Sequence, residues 1–305
     1  MQLRSLTPLQ ERTLADLMAS GDERPTFERG LADRLRREIE ARIEGAAPEA
    51  DRPLWVTKRR LVDLHQRCEG LFISNELDEA PFRYGRALAE GRLVHKSVEI
   101  GVYARLGEVE LVERALGRLR EQDPGFDQFV GLLDEAERAE LVGEAVRQVA
   151  WFRSVFPPLR GPWNPVVEWG LRADLLGGAV VLSARPDLVL GRDDPEEPMR
   201  ARRLVLELKG GQERPEQDDD VRFYALVLTL RHGVPPFRVA TVNLQSGTWR
   251  SHDVTPDLLL SAARRVADGC LRAWALLDGG EPTLRGGKWC GWCARSPGCP
   301  AAVEG

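Results

Sequence analysis

Two apolar runs in the second half of the chain carry groups that can do chemistry. "RPDLVLG" (185–191) places Asp187 at one end of an apolar strand, and "LVLELKGG" (204–211) places Glu207 and Lys209 near the end of another. Residues two apart in a strand face the same way, so Glu207 and Lys209 project together while Leu208 points into the core. If the Asp187 strand pairs with the Glu207 strand, two carboxylates and an ammonium converge. Hard divalent ions such as Mg²⁺ take carboxylate and carbonyl oxygens of this kind. A lysine beside them can orient an attacking water or offset negative charge developing on a phosphate. Charges inside an apolar strand are costly unless paired. The plain alternative is therefore a strand-end salt bridge between Glu207, Lys209 and a neighbour.

A second set of reactive residues closes the chain. "GGKWCGWCARSPGCP" (286–300) holds Cys290, Cys293 and Cys299 at C-x2-C-x5-C spacing, three of only five cysteines. In a reducing compartment, clustered thiols hold metals or do redox work more often than they form structural disulfides. Soft thiolate sites select zinc or iron–sulfur clusters, and such clusters are commonly held by four cysteines. The fourth ligand has two candidates. Cys270 falls in the apolar rhythm of a helix at about 256–277, where a thiol behaves as a small hydrophobe. Cys68 lies in "RCEGLFIS", more than two hundred residues upstream of the tail.

The order of these motifs resembles the PD-(D/E)XK nuclease superfamily: "RPD" (185–187), a strand-to-strand interval, then "ELK" (207–209). Two further stretches are similar to its RecB-like branch. "GRLVHKSVE" (91–99) matches that branch's helical histidine motif and puts a metal-ligand histidine at His95. "DVRFYALVL" (220–228) resembles the helical motif after the lysine: Tyr224 matches, while Asp220 stands where a glutamine is usual. One cysteine before the histidine motif and three after the core is the arrangement of the branch's iron–sulfur members, among them CRISPR-associated exonucleases and AddB-type helicase–nuclease domains. "CEGLF" has glutamate where proline is common.

That resemblance implies an α/β fold with a restriction-endonuclease-like mixed β-sheet core flanked by helices; the helical periodicity of the first half, whose residues 1–50 have no counterpart in the family, adds a helical N-terminal subdomain. The resemblance also implies a Mg²⁺- or Mn²⁺-dependent deoxyribonuclease leaving 5′-phosphate and 3′-hydroxyl ends, with exonuclease action on single-stranded ends expected. His95, Asp187, Glu207 and the Leu208 carbonyl would bind the metal, Lys209 would orient the water, and Tyr224 and Asp220 would lie beside them. Cys68, Cys290, Cys293 and Cys299 would hold a [4Fe–4S] cluster, with zinc the other reading. The partner is DNA, as single strands or duplex ends. A helicase or a defence-complex subunit is a further candidate partner, and DNA repair or phage defence the corresponding setting. The contrasting reading is a weakly active or inactive DNA-binding or scaffolding subunit of a helicase–nuclease, defence or CRISPR-adaptation complex. The division expected is a helical extension over 1–50 and a nuclease domain over 51–305. Within that domain lie a helical insertion at about 105–160 and a cysteine clasp at 286–300.

The elements that must position these groups change character midway. "FERGLADRLRREIEARI", "LWVTKRRLVDLHQRCEGLF", "APFRYGRALAEGRLVHKSVEIGVYARLG" and "LLDEAERAELVGEAVRQVAWFRSVF" each read as helix by apolar spacing. Beyond the proline-rich "PPLRGPWNP" (157–165) the period becomes that of strands: "VVEWGLRAD", "AVVLSARPDLVLG", "RRLVLELKGG" and "FRVATVNLQSG". Glycines 177 and 178 suit a hairpin turn, and helices are expected at about 218–232 and 256–277.

At 305 residues with 43% hydrophobic and 30% charged content, the chain can bury a substantial core as an ordinary globular protein. No apolar run approaches membrane-spanning length, and the N-terminus lacks the apolar block of a signal peptide, so a cytoplasmic protein is expected. The net charge of −5 is no footprint of nucleic-acid binding. Local basic stretches, "TKRR" (57–60) and "MRARR" (199–203), can still touch a phosphate backbone or simply be solvated surface.

Overall fold

The computed structural model describes residues 6–19, 23–48, 52–78, 84–159, 161–211, 214 and 216–303. Parts of the expected extension (1–5, 20–22, 49 and 50) lie outside the described residues, as do 80–83 at the start of the helix expected around His95.

The chain begins with helices α1 (Pro8–Leu17) and α2 (Leu31–Ile43). Leu31, Leu35, Ile39 and Ile43 recur at helical spacing and form the inward stripe of α2. Strand β1 (Leu54–Val56), α3 (Lys58–His65) and α4 (Glu69–Leu77) follow. The one helix expected over 54–72 is thus a strand and two helices, with Cys68 at the N-cap of α4. Two causes act. The extended Thr57 accepts the Arg60 N–H on its hydroxyl, starting α3 where the periodicity shows no break. And β1 pairs in parallel with Val180–Leu182, a partner too distant for local patterning to reveal.

Helix α5 (Arg86–Tyr103) carries His95; α6 (Glu108–Gln122) and α8 (Glu135–Val155) pack on it and on each other, and α7 (Pro124–Leu132) packs on α6. The strands then come in quick succession: β2 (Val166–Val167), β3 (Leu171–Leu175), β4 (Val180–Ala184), β5 (Leu188–Leu190) and β6 (Leu204–Lys209). Helix α9 (Gln217–His232), β7 (Arg238–Asn243), β8 (Thr248–Asp253) and α10 (Pro256–Leu277) complete the core. Beyond α10 lies the cysteine tail, whose one regular piece among the described residues is a short 3-10 turn at Lys288–Trp292.

This is the mixed α/β core flanked by helices that the motif order implies, with its pairing divided between two sheets. One has the order β1-β4-β3, the other β2-β5-β6-β7-β8. The run 179–191 crosses from the first to the second at Arg185–Asp187, where Pro186 has no N–H to give a ladder. The run 166–174 also splits, because Glu168 takes a left-handed φ of 48° between β2 and β3. Glycines 177 and 178 turn the β3–β4 hairpin at φ of 63° and 103°. Strand β8, "TWRSHD", gives no apolar signal because it is the solvent-facing edge of its sheet.

Strands β6 and β7 are parallel, so the chain must cross over between them, and α9 makes that crossing. It touches β3, β4, β6 and β7 and is therefore apolar on every side, burying Val221 and Phe223–Leu230. Among the described residues no helix is long and apolar enough to cross a membrane.

Candidate functional site

Register brings the carboxylates together. Strand β5 pairs antiparallel with β6, Leu188 facing Leu206, which sets Asp187 opposite the Glu207–Leu208 peptide. The Leu208 N–H donates to Asp187 Oδ2 at 2.6 Å. Asp187 Oδ1 lies 3.1 Å from His95 Nδ1, so α5 delivers its imidazole to the same carboxylate from outside the sheet. Strand β6 points Glu207 and Lys209 the same way, and Lys209 Nζ donates to Glu207 Oε1 at 2.6 Å. The crossover starts α9 within eight residues of Lys209, and this returns Asp220 to the ammonium at 3.1 Å. Tyr224, one turn further, is 1% exposed and lines the inner wall.

Two residues in this cluster were not singled out by their sequence context. Glu168 Oε1 lies 4.0 Å from His95 Nδ1. Ligand atoms of His95, Glu168 and Asp187 all fall within 4.8 Å of one another, the one such metal-capable group among the described residues. The left-handed backbone at Glu168 costs about 1–2 kcal/mol, and its N–H donates to the Asp187 carbonyl at 3.0 Å. The second is Lys58, whose Nζ donates to Glu207 Oε1 beside Lys209 and sits 5.1 Å from the centre of the Tyr224 ring. A carboxylate in "VVEWG" is a faint signal for the first. The basic "TKRR" marks the second as charged, but only the pairing of β1 says where its lysine goes.

The electrostatics follow from this packing. Burial would raise the Glu207 carboxyl, but Lys58 and Lys209 outweigh it and hold the group well below the usual carboxylate range. Burial likewise opposes a charged His95, yet Asp187, Glu207 and Glu168 raise it above the ordinary imidazole value. Glu168 and Asp220 are raised, each chiefly by burial. Burial and the surrounding carboxylates push the Tyr224 hydroxyl well up. Four carboxylates (168, 187, 207 and 220) thus face two ammonium groups and the His95 imidazole. Both lysines use Glu207 Oε1, while its Oε2 is buried and has no hydrogen-bond partner. The oxygens and imidazole of Glu168, Asp187 and His95 are a donor set that fits a hard divalent cation; Glu207, expected as a ligand with His95 and Asp187, has no oxygen within 4.8 Å of both.

The cysteines fall into two groups. Cys68, Cys290, Cys293 and Cys299 line one cavity of about 370 Å³, with Leu71, Leu284 and Trp289 among its walls. Cys270 is fully buried in α10, where burial pushes its thiol up to about 12. No three of the cavity sulfurs lie within 4.8 Å of one another. The tail is held against α4 by a few polar contacts. Arg295 forms a two-pronged pair with Asp78 at 2.6 and 2.9 Å, and the Arg285 N–H donates to Cys68 Sγ at 3.4 Å. Glu69 takes both the Arg272 guanidinium and, at 2.6 Å, the Thr283 N–H. A Cβ at Gly70 would come within 2.7 Å of the Leu284 side-chain tip, so a larger residue there would have to displace that leucine.

The profile of the PD-(D/E)XK nuclease superfamily matches residues 62–300, a span that includes His95, Asp187, Glu207, Lys209 and every cavity cysteine. Among solved structures, the chain is similar to a protein from Eubacterium rectale provisionally named an exonuclease. The likeness has a TM-score of 0.48 and 13% identity over 82% of this chain and 90% of that one. No curated protein matches the chain.

Proposed function

The chain belongs to the PD-(D/E)XK nuclease superfamily, and from that premise we propose that it is a Mg²⁺- or Mn²⁺-dependent deoxyribonuclease of the RecB-like iron–sulfur branch, acting as an exonuclease on single-stranded ends. The observation that carries this reading is the convergence of His95, Asp187, Glu207 and Lys209 in one cluster, with ligand atoms of His95, Glu168 and Asp187 within 4.8 Å of one another. His95, Asp187, Glu207 and the Leu208 carbonyl would hold the cation, with Glu168 beside them. A divalent ion there supplies Lewis-acid polarisation of a phosphate oxygen and acidifies water.

The protein's own groups do the rest. Lys209, fixed between Glu207 and Asp220, presents an ammonium in a constant direction to orient the nucleophilic water. Asp187 is aimed by the Leu208 N–H, which fixes Oδ2 on the sheet, and its Oδ1 faces His95. Tyr224 closes the inner wall against bulk water. Water attacks phosphorus, the P–O3′ bond breaks, and 3′-hydroxyl and 5′-phosphate ends result.

We assign the cysteine cavity to a structural [4Fe–4S] cluster. Four thiols around one cavity support it. We take residues 51–305 as the nuclease domain, 1–50 as an extension, about 105–160 as a helical insertion and 286–300 as a clasp. DNA is the substrate, and a helicase or defence-complex subunit the kind of protein partner this branch would join.

Incubating the protein with single-stranded DNA and Mn²⁺ tests the catalytic reading. The parent should cut, and Asp187→Ala should not while keeping its fold by circular dichroism; equal cutting by both would show the site to be elsewhere. Metal analysis tests the cavity: protein purified without oxygen should be brown and contain iron, and a colourless protein with one zinc would overturn the cluster.

A further inference from the structure

We propose that Lys58 is a phosphate ligand of the hydrolytic site, a second ammonium that meets a non-bridging oxygen of the scissile phosphodiester. The inference deepens the nuclease reading and rests on it. Strands β1 and β4 are parallel, with Val56 opposite Leu182, so both chains leave the small sheet at the same end. One continues into Thr57 and Lys58, the other into Arg185, Pro186 and Asp187. Topology thereby delivers a cation from the first turn of α3 to the carboxylates, from a part of the chain that the Asp…Glu-x-Lys pattern does not include.

The two ammonium groups on Glu207 Oε1 are not equivalent. Lys209 is also held by Asp220, and it belongs to a strand bonded on both sides. Lys58 has Glu207 as its one hydrogen-bond acceptor among the described residues, faces the Tyr224 ring, and leaves a third of its side chain (33%) open to solvent. An ammonium has three donors. Lys209 spends two on fixed carboxylates, whereas Lys58 spends one, so Lys58 has the capacity to bind an incoming anion. Two like charges on one carboxylate oxygen also repel each other, and a phosphate accepting Lys58 relieves that repulsion. Asp220, paired with Lys209 at 3.1 Å, supplies a further carboxylate to set against the two ammonium groups.

Binding of a fluorescently labelled single-stranded oligonucleotide, in Ca²⁺ and at salt from about 50 to 200 mM, tests this directly; a gel checks that the strand stays intact. Lys58→Gln should weaken binding about tenfold at the lower salt and flatten the slope of log K against log salt by about 0.7, the loss of one phosphate contact. Lys58→Arg should restore the slope. The double variant Lys58→Gln with Asp220→Gln keeps the charge balance of the cluster and should show the same reduced slope even if Lys58→Gln alone folds poorly. Unchanged slopes in Lys58→Gln and in the double variant, with a parent that binds DNA, would reduce Lys58 to a brace for Glu207 and sink this assignment alone. A parent that neither cuts nor binds DNA would sink the nuclease reading and this one with it.

Discussion

The carboxylate–lysine cluster and the cysteine cavity are both drawn from distant parts of the chain, yet they are built by opposite means. The cluster hangs on regular structure. Register places Asp187 against Leu208, pleat places Glu207 beside Lys209, and a crossover helix returns Asp220. Its charges already answer one another, so the geometry stands before any cation arrives. The cavity has one wall of helix, at Cys68 and Leu71, while its other thiols ride on a tail with a single 3-10 turn and half-exposed cysteines. A handful of polar contacts hold that tail in place. Preorganisation in the first site and closure by a bound group in the second is the contrast to test.

The largest effect should come from the preorganised side. Asp187→Ala or Lys209→Ala should lower the rate of cleavage in Mn²⁺ by about 10³ or more, with the thermal midpoint changed by only a few degrees. If either variant unfolds instead, the cluster is a structural knot and its independence from the cation is refuted. Next comes the closure side. Cys68→Ala should abolish bound iron and leave the segment after about residue 280 open to protease, because linking Cys68 to the tail closes a very long loop that the free chain resists. Retention of iron by Cys68→Ala, or its loss in Cys270→Ala, would reverse the division of the thiols.

A third test uses pH to separate the two sites. In the cation-free protein His95 is raised by its carboxylates. Such a group contributes stability that is complete below the unfolded value near 6.5 and is lost as pH rises through the folded value. Cation binding runs the other way, since the imidazole must shed its proton to become a ligand. Calorimetric titration with Mn²⁺ should therefore show affinity rising about tenfold per pH unit above pH 6 until His95 is neutral. His95→Gln should flatten that rise. A pH-independent affinity in the parent would remove His95 from the cation site.

What the sequence shows of these two regions differs in the same sense. Asp187, Glu207 and Lys209 were legible because pleat and short spacing determine which way they point, and His95 because its helix spans the whole motif. Lys58 was hidden: "LWVTKRRLVDL" has the spacing of a helix, and the parallel partner that makes its start a strand lies more than a hundred residues on. Glu168 was hidden because a left-handed residue, not a periodic one, aims it. The edge strand β8 carries polar residues on both faces and offers no alternation to read. For the cavity, the apolar neighbours of Cys270 and the one-plus-three order of the resemblance separated it from the other four. The contacts that bring tail to helix are single charges scattered over both, and no local pattern announces them.

The smallest effect is also the one that sharpens the contrast most. Glu69 opens α4 directly after Cys68, and its carboxylate joins Arg272 of α10 to the Thr283 N–H at the root of the tail. The Arg272 contacts hold the Glu69 carboxyl below its usual value, with burial opposing and the Thr283 N–H assisting. A depressed carboxyl stabilises above its unfolded value, near 4.3, and loses that contribution as pH falls through the folded one. Because its partner Arg272 leaves a third of its side chain (34%) open to solvent, removal of the carboxylate should cost about 1 kcal/mol. Glu69→Gln should accordingly speed amide exchange at 281–300 by about fivefold at neutral pH, in protein stripped of iron, and the difference should fade in acid. With the cluster bound, the same substitution should change exchange little, since four thiolate bonds then hold what one carboxylate held before. If the substitution loosens the iron-bound and iron-free proteins equally, the tail is latched by its polar contacts and the cavity is preorganised after all, like the carboxylate–lysine cluster.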